Sequence, residues 1–318
     1  MSSCPHSPSL ARGVAFIALI VGLLACKSER GQAPPPQAAP AVEEPAAQPA
    51  PSAPAVEPLA RPFFWEVRRD GAVSYLLGTI HAKFQLTHLP PVVTERLDAA
   101  SAVVIEADVT KLSVMDVLQQ AMLPPEQSLR MMLGEDKWRK LVDAVGKTMP
   151  APALERMQPW FAALLVSLGD LISTDQSQVM DMQIFERASK GAKRVVFLEE
   201  AGEQLKILGE SGDLDTLKEM LDELDEVHRK RHDMLAAYGR GDFEALSAIT
   251  LDPEEMGKRP ELFEKLLFER NQAWMKELQP LLAGGGVFVA VGAGHFVGER
   301  GLLSLLGAAG YEIRRVEP

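Results

Sequence analysis

The chain has 318 residues, a formal net charge of −11 and 47% hydrophobic residues. This length can bury the core of one large domain or two, and the apolar content excludes disorder along the whole chain. The acidic balance argues against a general nucleic-acid-binding protein, so no nucleic-acid partner is expected.

The N-terminal segment has the pattern of an export signal. Arg12 precedes an apolar run, residues 14–24, that is too short for a comfortable membrane span. The run ends in Leu23-Leu24-Ala25-Cys26, which resembles the lipobox at which bacterial lipoprotein precursors are cleaved and acylated. We therefore predict a lipoprotein-type signal peptide over residues 1–26 with lipid on Cys26. The alternative is an ordinary secretory signal that is cleaved nearby.

The residues around the predicted cleavage site indicate where the mature protein would lie. Lys27, rather than aspartate, follows Cys26, which favours the outer membrane in Gram-negative bacteria. We expect an exported protein on the periplasmic face of the outer membrane, attached through lipid only. The other cysteine, Cys4, would leave with the signal, so the mature domain would have no disulfide and no thiolate ligand.

A linker separates the predicted signal from the predicted domain. Residues 27–60 are rich in proline and alanine and lack the side chains for a core. This composition is typical of a disordered, semi-extended tether. The folded domain is therefore expected over residues 61–318.

Beyond residue 61, short apolar strands alternate with helical stretches. Asp70-Gly71 separates two strand-like runs and predicts a β-hairpin. Further strands are predicted at residues 102–105, 194–198, 287–291 and 311–316. Charged and helical sequence fills most of the space between them. The pattern predicts an α/β fold with a mostly parallel central sheet, an N-terminal hairpin and a large helical insertion.

Two histidines follow buried strands in the same way. Gly78-Thr79-Ile80-His81 and Gly292-Ala293-Gly294-His295 both read Gly-x-x-His at the carboxyl end of a strand. Ligands bind at that end of α/β sheets, and glycine would let the backbone turn sharply off the sheet. We therefore predict that His81 and His295 share one site. Two unrelated loop histidines that cap strands are the alternative.

Carboxylates come at the ends of two further strands. Glu106 and Glu199 can ligate a metal or act as general bases, whereas Glu200 reads as an ordinary loop acid. Two imidazoles and one carboxylate form a borderline donor set suited to Zn, Mn, Fe or Co. The i, i+4 pair His228 and His232 is not expected to be a site, because the three cations between them would repel a metal ion.

Taken in order, these blocks resemble the TraB/PrgY/GumN family. Its relatives include the Tiki metalloproteases and, more distantly, ChaN-like and erythromycin-esterase-like proteins. The resemblance covers about residues 62–316. It is carried by Phe64-Trp65-Glu66-Val67 with Leu76-Leu77-Gly78-Thr79-Ile80-His81, Val104-Ile105-Glu106-Ala107-Asp108, Met180-Asp181, Phe197-Leu198-Glu199-Glu200 with Glu203-Gln204, Glu269-Arg270-Asn271, and Val291-Gly292-Ala293-Gly294-His295-Phe296-Val297-Gly298 with Gly301-Leu302.

The resemblance implies a divalent metal held by three side chains, His81, Glu106 and His295. It also implies roles for Arg270, which could stabilise a developing oxyanion, and for Asn271, which could orient it. Asp181 and Glu199 would support the ligands, and either could take a proton from water. Without the resemblance, Arg270-Asn271 would read as a salt bridge and cap on a helix surface.

For its Tiki branch the family implies peptide-bond hydrolysis. The expected function is therefore a metal-dependent, peptidase-like hydrolase of the bacterial envelope. One alternative is a non-catalytic lipoprotein that binds a peptide, a pheromone or a haem-like ligand in the same cleft. Another is an envelope scaffold, for which both histidines would be dispensable. The expected partners are a peptide or small-molecule ligand and the membrane, the latter through the lipid anchor only.

Overall fold

The computed structural model describes residues 59–81, 84–111, 114–169 and 179–317. The predicted signal peptide, Cys26 and nearly all of the predicted linker lie outside the described residues. Within those ranges, the helices are all too short or too polar to cross a membrane.

Six strands form one sheet. They are β1 (Phe64–Arg69), β2 (Ala72–Thr79), β3 (Ala102–Ala107), β4 (Arg194–Glu199), β5 (Val287–Gly292) and β6 (Glu312–Arg315). Their order across the sheet is β4-β3-β5-β2-β1-β6. The first four in that order are parallel, and β1 runs antiparallel to both of its neighbours. The predicted mostly parallel α/β sheet is confirmed.

The predicted hairpin joins β1 to β2 through a two-residue turn. Asp70 and Gly71 have φ values of 50° and 82°, and Arg69 pairs with Ala72 across the turn. Two successive positive φ angles are the requirement of a type I′ turn, which Asp-Gly meets at little cost. The turn fixes the register that carries β2 into the middle of the sheet.

Helices make up most of the remaining described chain. They are α1 (Pro91–Ala99), α2 (Val114–Ala121), α3 (Leu129–Leu133), α4 (Glu135–Val145), α5 (Ala151–Leu154), α6 (Pro159–Leu168), α7 (Met180–Lys190), α8 (Ala201–Ser211), α9 (Leu214–Asp222), α10 (Leu224–Arg240), α11 (Phe243–Thr250), α12 (Pro253–Lys258), α13 (Pro260–Phe263), α14 (Glu269–Ala283) and α15 (Leu302–Ala308). Every residue of α6 is buried, so this helix forms the core of the predicted helical insertion.

Burial along the strands follows their position in the sheet. All six residues of β3 and of β5 are buried, as expected for central parallel strands covered on both faces. The strand β4 lies at one edge and is only half-buried. The central position of β2, β5 and β3 brings the two Gly-x-x-His blocks and Glu106 to the same end of the sheet.

Candidate functional site

The two Gly-x-x-His blocks leave the sheet side by side. Gly78 pairs with Val291, and Thr79 pairs with Gly292. A Cβ atom at Gly78 would lie 3.1 Å from the Cβ of Ala293, which is closer than side chains normally pack. The φ of Gly78 is not positive, so its backbone conformation alone does not require glycine. The close approach of Ala293, on the second block, and of Phe63 favours glycine here, because a side chain would have to push both back.

Glu106 joins the site through the backbone of β5. Its Oε1 accepts a hydrogen bond from the Gly292 N–H at 2.6 Å, and the same oxygen lies 3.9 Å from His295 Nε2. Burial raises the pKa of Glu106, although Arg270 and His81 lower it, and burial also holds the pKa of His295 well below its usual range. The structure thus places Glu106 beside His295 at the carboxyl end of the sheet.

Asn271 determines which nitrogen of His295 carries the proton. Its Nδ2 donates to the backbone carbonyls of His295 (3.2 Å) and Arg300 (2.9 Å). Its Oδ1 must therefore be the atom that lies 2.7 Å from His295 Nδ1, and Nδ1 must be the donor. Burial, then the charges of Arg270 and His81, hold the pKa of His295 well below its usual range. The neutral ring thus keeps its lone pair on Nε2, the nitrogen nearest Glu106.

Arg270 bridges the buried carboxylate of Glu106 and the partly buried carboxylate of Glu199. Its Nη2 lies 3.1 Å from Glu106 Oε2 and 2.6 Å from Glu199 Oε1, and its Nε donates to Glu199 Oε2 at 3.0 Å. Gln204 Nε2 donates to Glu106 Oε2 at 3.1 Å and also to Glu199. Only 5% of the Arg270 side chain is exposed. The reading of Arg270 as part of a helix-surface salt bridge is therefore wrong.

A π-helical turn, Glu264–Phe268, places Arg270 at the start of α14. Leu266, within this turn, accepts a hydrogen bond from Arg270 Nη1 at 2.9 Å. Arg300 forms two 2.6 Å bonds to Glu264, and its guanidinium lies 4.3 Å over the ring of Phe268. Because the Arg300 carbonyl also accepts from Asn271, this clamp ties the loop after His295 to α14.

His81 faces Asp181 at the start of α7. Its Nδ1 lies 2.9 Å from Asp181 Oδ2, and Thr79 Oγ1 donates to Asp181 Oδ1 at 2.8 Å. Both Nδ1 and Oδ2 are buried. Neither makes a well-aligned hydrogen bond, so the contact between them is a close ion pair. Burial would lower the pKa of His81, but the Asp181 carboxylate outweighs it and raises that pKa. Conversely, burial would raise the pKa of Asp181, but His81 and Thr79 lower it.

Gln204 and two further residues of the site were not among the sequence candidates. Trp274 lies with its ring centroid 4.3 Å from that of His295, and its Nε1 donates to Glu199 Oε2 at 3.1 Å. Tyr238, on α10, donates from its hydroxyl to the Gly78 carbonyl at 2.8 Å. Helical spacing from Arg270 could have indicated Trp274. Nothing in the sequence near Tyr238 points to the first Gly-x-x-His block.

The other polar candidates lie at the surface. Glu200 is exposed at the N-cap of α8, in keeping with an ordinary loop acid. His228 and His232 are both exposed on α10, where the His232 side chain is 82% exposed and lies 3.8 Å from Asp233.

The donor types fit a divalent ion, although the described arrangement does not close a ligand set. Within the described ranges, no three His, Cys, Asp or Glu side chains are arranged to hold a metal ion. One observation nevertheless suits a borderline ion, namely the Nε2 lone pair of His295 beside Glu106. Imidazole and carboxylate donors of this kind bind Zn, Mn, Fe or Co.

Comparison with known proteins gives the same family over the whole domain. Metalloprotease TIKI2 of Danio rerio is 24% identical over 316 residues, which cover 80% of this chain and 61% of that protein. Metalloprotease TIKI1 of Homo sapiens is 26% identical over 309 residues, 79% of this chain and 61% of its own length. The chain thus spans less than two thirds of these relatives, and no solved structure gives a significant match. Residues 63–315 match the TraB/PrgY/gumN family, and the chain belongs to that family.

Proposed function

We propose that this protein is a metal-dependent hydrolase that cleaves peptide-type bonds in the bacterial envelope. The observation that carries the proposal is the Nε2 lone pair of His295 turned toward a buried carboxylate, Glu106, at one end of the sheet. The naming of similar proteins as metalloproteases supports the same reaction class.

In this proposal His81, Glu106 and His295 hold the divalent ion. The ion would supply an activated water and polarise the scissile carbonyl. Asn271 keeps Nε2 of His295 unprotonated, because its Oδ1 accepts a hydrogen bond from the N–H at Nδ1 and so holds the proton there. Trp274 packs against the same ring and limits its rotation.

Glu106 would be the carboxylate ligand in this scheme, since its Oε1 lies 3.9 Å from His295 Nε2. The proton from water would go to Glu199, the carboxylate that shares the Arg270 guanidinium with Glu106. Asp181, whose pKa is lowered, suits a different role, which is to hold His81 in place.

Arg270 acts mainly on the carboxylates in this scheme. Its Nε and Nη2 bind Glu199 and Glu106, and its Nη1 donates to the Leu266 carbonyl. A guanidinium has five N–H donors, so these four contacts leave about one for a developing oxyanion. We therefore assign Arg270 to positioning Glu106, with Glu199 fixing the plane of the guanidinium. Oxyanion stabilisation by Arg270 would be a minor contribution.

The proposal is tested by metal content and peptide hydrolysis of the mature protein. The substrate is a quenched fluorescent peptide mixture, and the variants are a His81→Ala, His295→Ala double change and a His228→Gln, His232→Gln control. We expect the wild type and the control to carry one divalent ion per chain and to cleave. The double variant should lose both properties with its fold intact by circular dichroism.

A core substitution gives the reciprocal control. Val289 is fully buried inside β5, so Val289→Ala should cost about 1 to 3 kcal/mol of unfolding free energy and spare hydrolysis in the folded fraction. A folded wild type that binds peptides, carries no metal and cleaves nothing would favour the non-catalytic binding protein instead.

A further inference from the structure

The two edges of the sheet differ in chemistry. The edge strand β6 reads Glu312-Ile313-Arg314-Arg315, and charges of this kind protect an edge from pairing with other chains. The opposite edge strand β4 reads Arg194-Val195-Val196-Phe197-Leu198-Glu199, with four consecutive apolar residues. The edge formed by β4 therefore lacks the protection found on β6.

The outer side of β4 is unpaired in the described structure. Its inner side pairs with β3, from Arg194 opposite Ala102 to Glu199 opposite Ala107. No backbone group in the described ranges forms a hydrogen bond to the outer side of residues 194–199. The apolar residues 195–198 are half-buried, although α7 covers one face, where Phe185 and Phe197 lie 6.0 Å apart. An apolar strand with free N–H and C=O groups is a template for a further strand.

The open strand leads directly into the candidate site. Its last residue, Glu199, binds Arg270 at 2.6 Å and Trp274 at 3.1 Å. The neighbouring strand β3 carries Glu106, which Arg270 also binds. An extended chain along β4 would therefore pass beside the network that positions Glu106 before it reached the two histidines.

We propose that an extended segment of the polypeptide substrate adds as a further strand to the outer edge of β4, and that this pairing directs the scissile bond to the site. The inference rests on the proposed function. A peptide backbone offers the alternating donors and acceptors that the described residues leave unpaired along this edge, and strand addition of this kind needs little side-chain recognition. Six residues of strand span about 20 Å, enough to hold roughly six substrate residues.

Other occupants fit less well. Residues 27–58 of this chain contain many prolines, which lack the N–H needed by a strand partner. A second copy of the chain could pair through β4, but such a dimer would close the edge that leads to Glu199. The substrate is therefore the occupant to which the geometry points, and the dimer is one of the outcomes that the test separates.

The first test leaves the edge of the protein unchanged. The probe is a capped octapeptide of alternating threonine and valine, bound to the full mature protein carrying His295→Ala so that it is not cleaved. Two analogues carry N-methyl groups on alternate residues, one on the odd set and one on the even set. We expect one analogue to bind at least about tenfold more weakly, the effect of losing one or two backbone hydrogen bonds, and the other to bind as the parent does. Hydrogen exchange should slow at alternate amides of residues 194–199.

The second test changes the edge. Val196→Lys places a charge on β4, and Ile313→Lys is the matched change at a half-buried β-branched residue on β6. With melting temperature as the check on folding, Val196→Lys should weaken octapeptide binding about tenfold, and in the enzyme with His295 restored it should raise KM while leaving kcat unchanged. Ile313→Lys should change neither.

Four outcomes would overturn the inference. They are equal binding by both methylated analogues, no binding of the octapeptide, exchange protection outside β4, and protection of β4 that needs only a higher protein concentration and accompanies dimer formation. If the protein hydrolyses peptides but neither test shows an effect at β4, the β4 inference fails and the proposed function stands. If the octapeptide pairs with β4 in a protein that neither binds metal nor cleaves peptides, the proposed function fails and pairing at β4 stands.

Discussion

Asn271 Oδ1 lies 2.7 Å from His295 Nδ1, while the amide nitrogen of Asn271 donates to two backbone carbonyls. This relationship makes the tautomer of His295 depend on one side chain. In Asn271→Leu the ring loses its acceptor, so we expect both neutral tautomers to be populated and hydrolysis to fall about 10- to 100-fold, a typical loss when the partner of a histidine ligand is removed. Nitrogen-15 chemical shifts of His295 would report the tautomer directly.

The substitution Asn271→Asp separates the two hydrogen-bonding roles of this side chain, which accepts from His295 Nδ1 and donates to two backbone carbonyls. The carboxylate can still accept from Nδ1, so the tautomer should persist, but its charge should raise the pKa of His295. It cannot donate to the carbonyls of His295 and Arg300, so the loop should also loosen. An unchanged tautomer in Asn271→Leu would show that Asn271 does not control the ring.

Arg270→Met should strongly destabilise the protein near neutral pH. The side chains of Glu106 and Glu199 are 8% and 15% exposed and would then share a site without a cation. Breaking a buried ion pair from one side costs about 3 to 5 kcal/mol. The control is Arg187→Met at the exposed Asp98 pair, which should cost less than about 1 kcal/mol.

The destabilisation by Arg270→Met should shrink as the pH falls. Burial already raises the pKa of Glu106, and the loss of the guanidinium would raise it further. A carboxyl with a raised pKa in the folded state costs stability above that pKa and is relieved once it is protonated. Urea unfolding at pH 8 and pH 5 measures the difference, and a penalty that is equal at both would mean that the carboxylates are not the cause.

The sequence predicts the frame of the site better than the contacts inside it. Apolar runs and Asp70-Gly71 identify the strands and the hairpin, because these signals are local. The partners of Arg270 cannot be identified in that way, since Glu106 lies 164 residues away and Glu199 lies 71 residues away. The same holds for the Tyr238 hydroxyl on the Gly78 carbonyl, a contact between residues 160 apart. Metal binding by the two histidines and Glu106 stays a prediction.

Cys26 lies outside the described residues, and its acylation is a prediction from the lipobox-like sequence alone. When the precursor is expressed in a Gram-negative host, it should incorporate labelled fatty acid and sediment with outer membranes. The Cys26→Ser form should do neither, because the lipid would be the only anchor. Equal partitioning of both forms, with no label in either, would remove the lipoprotein interpretation.

Asp181→Asn should lower the pKa of His81. In the wild type the Asp181 carboxylate, 2.9 Å from Nδ1, raises that pKa above the ordinary value of about 6.5 against the effect of burial. Without the charge, burial should take over and bring the pKa below that value. Proton NMR titration of the His81 ring in metal-free protein measures the change directly.

The substitution Asp181→Asn should also alter how the stability of the protein depends on pH. A histidine whose pKa is raised in the folded state stabilises the protein fully below its unfolded pKa, and this contribution is lost as the pH rises through the folded pKa. The free energy of unfolding of the wild type should therefore fall as the pH rises above about 6.5, and that of Asp181→Asn should not. Thr79→Val is the matched control, because it removes only the 2.8 Å hydrogen bond to Asp181 and should leave the pKa of His81 raised. A His81 pKa that is the same in wild type and Asp181→Asn would mean that the two side chains are not paired in solution.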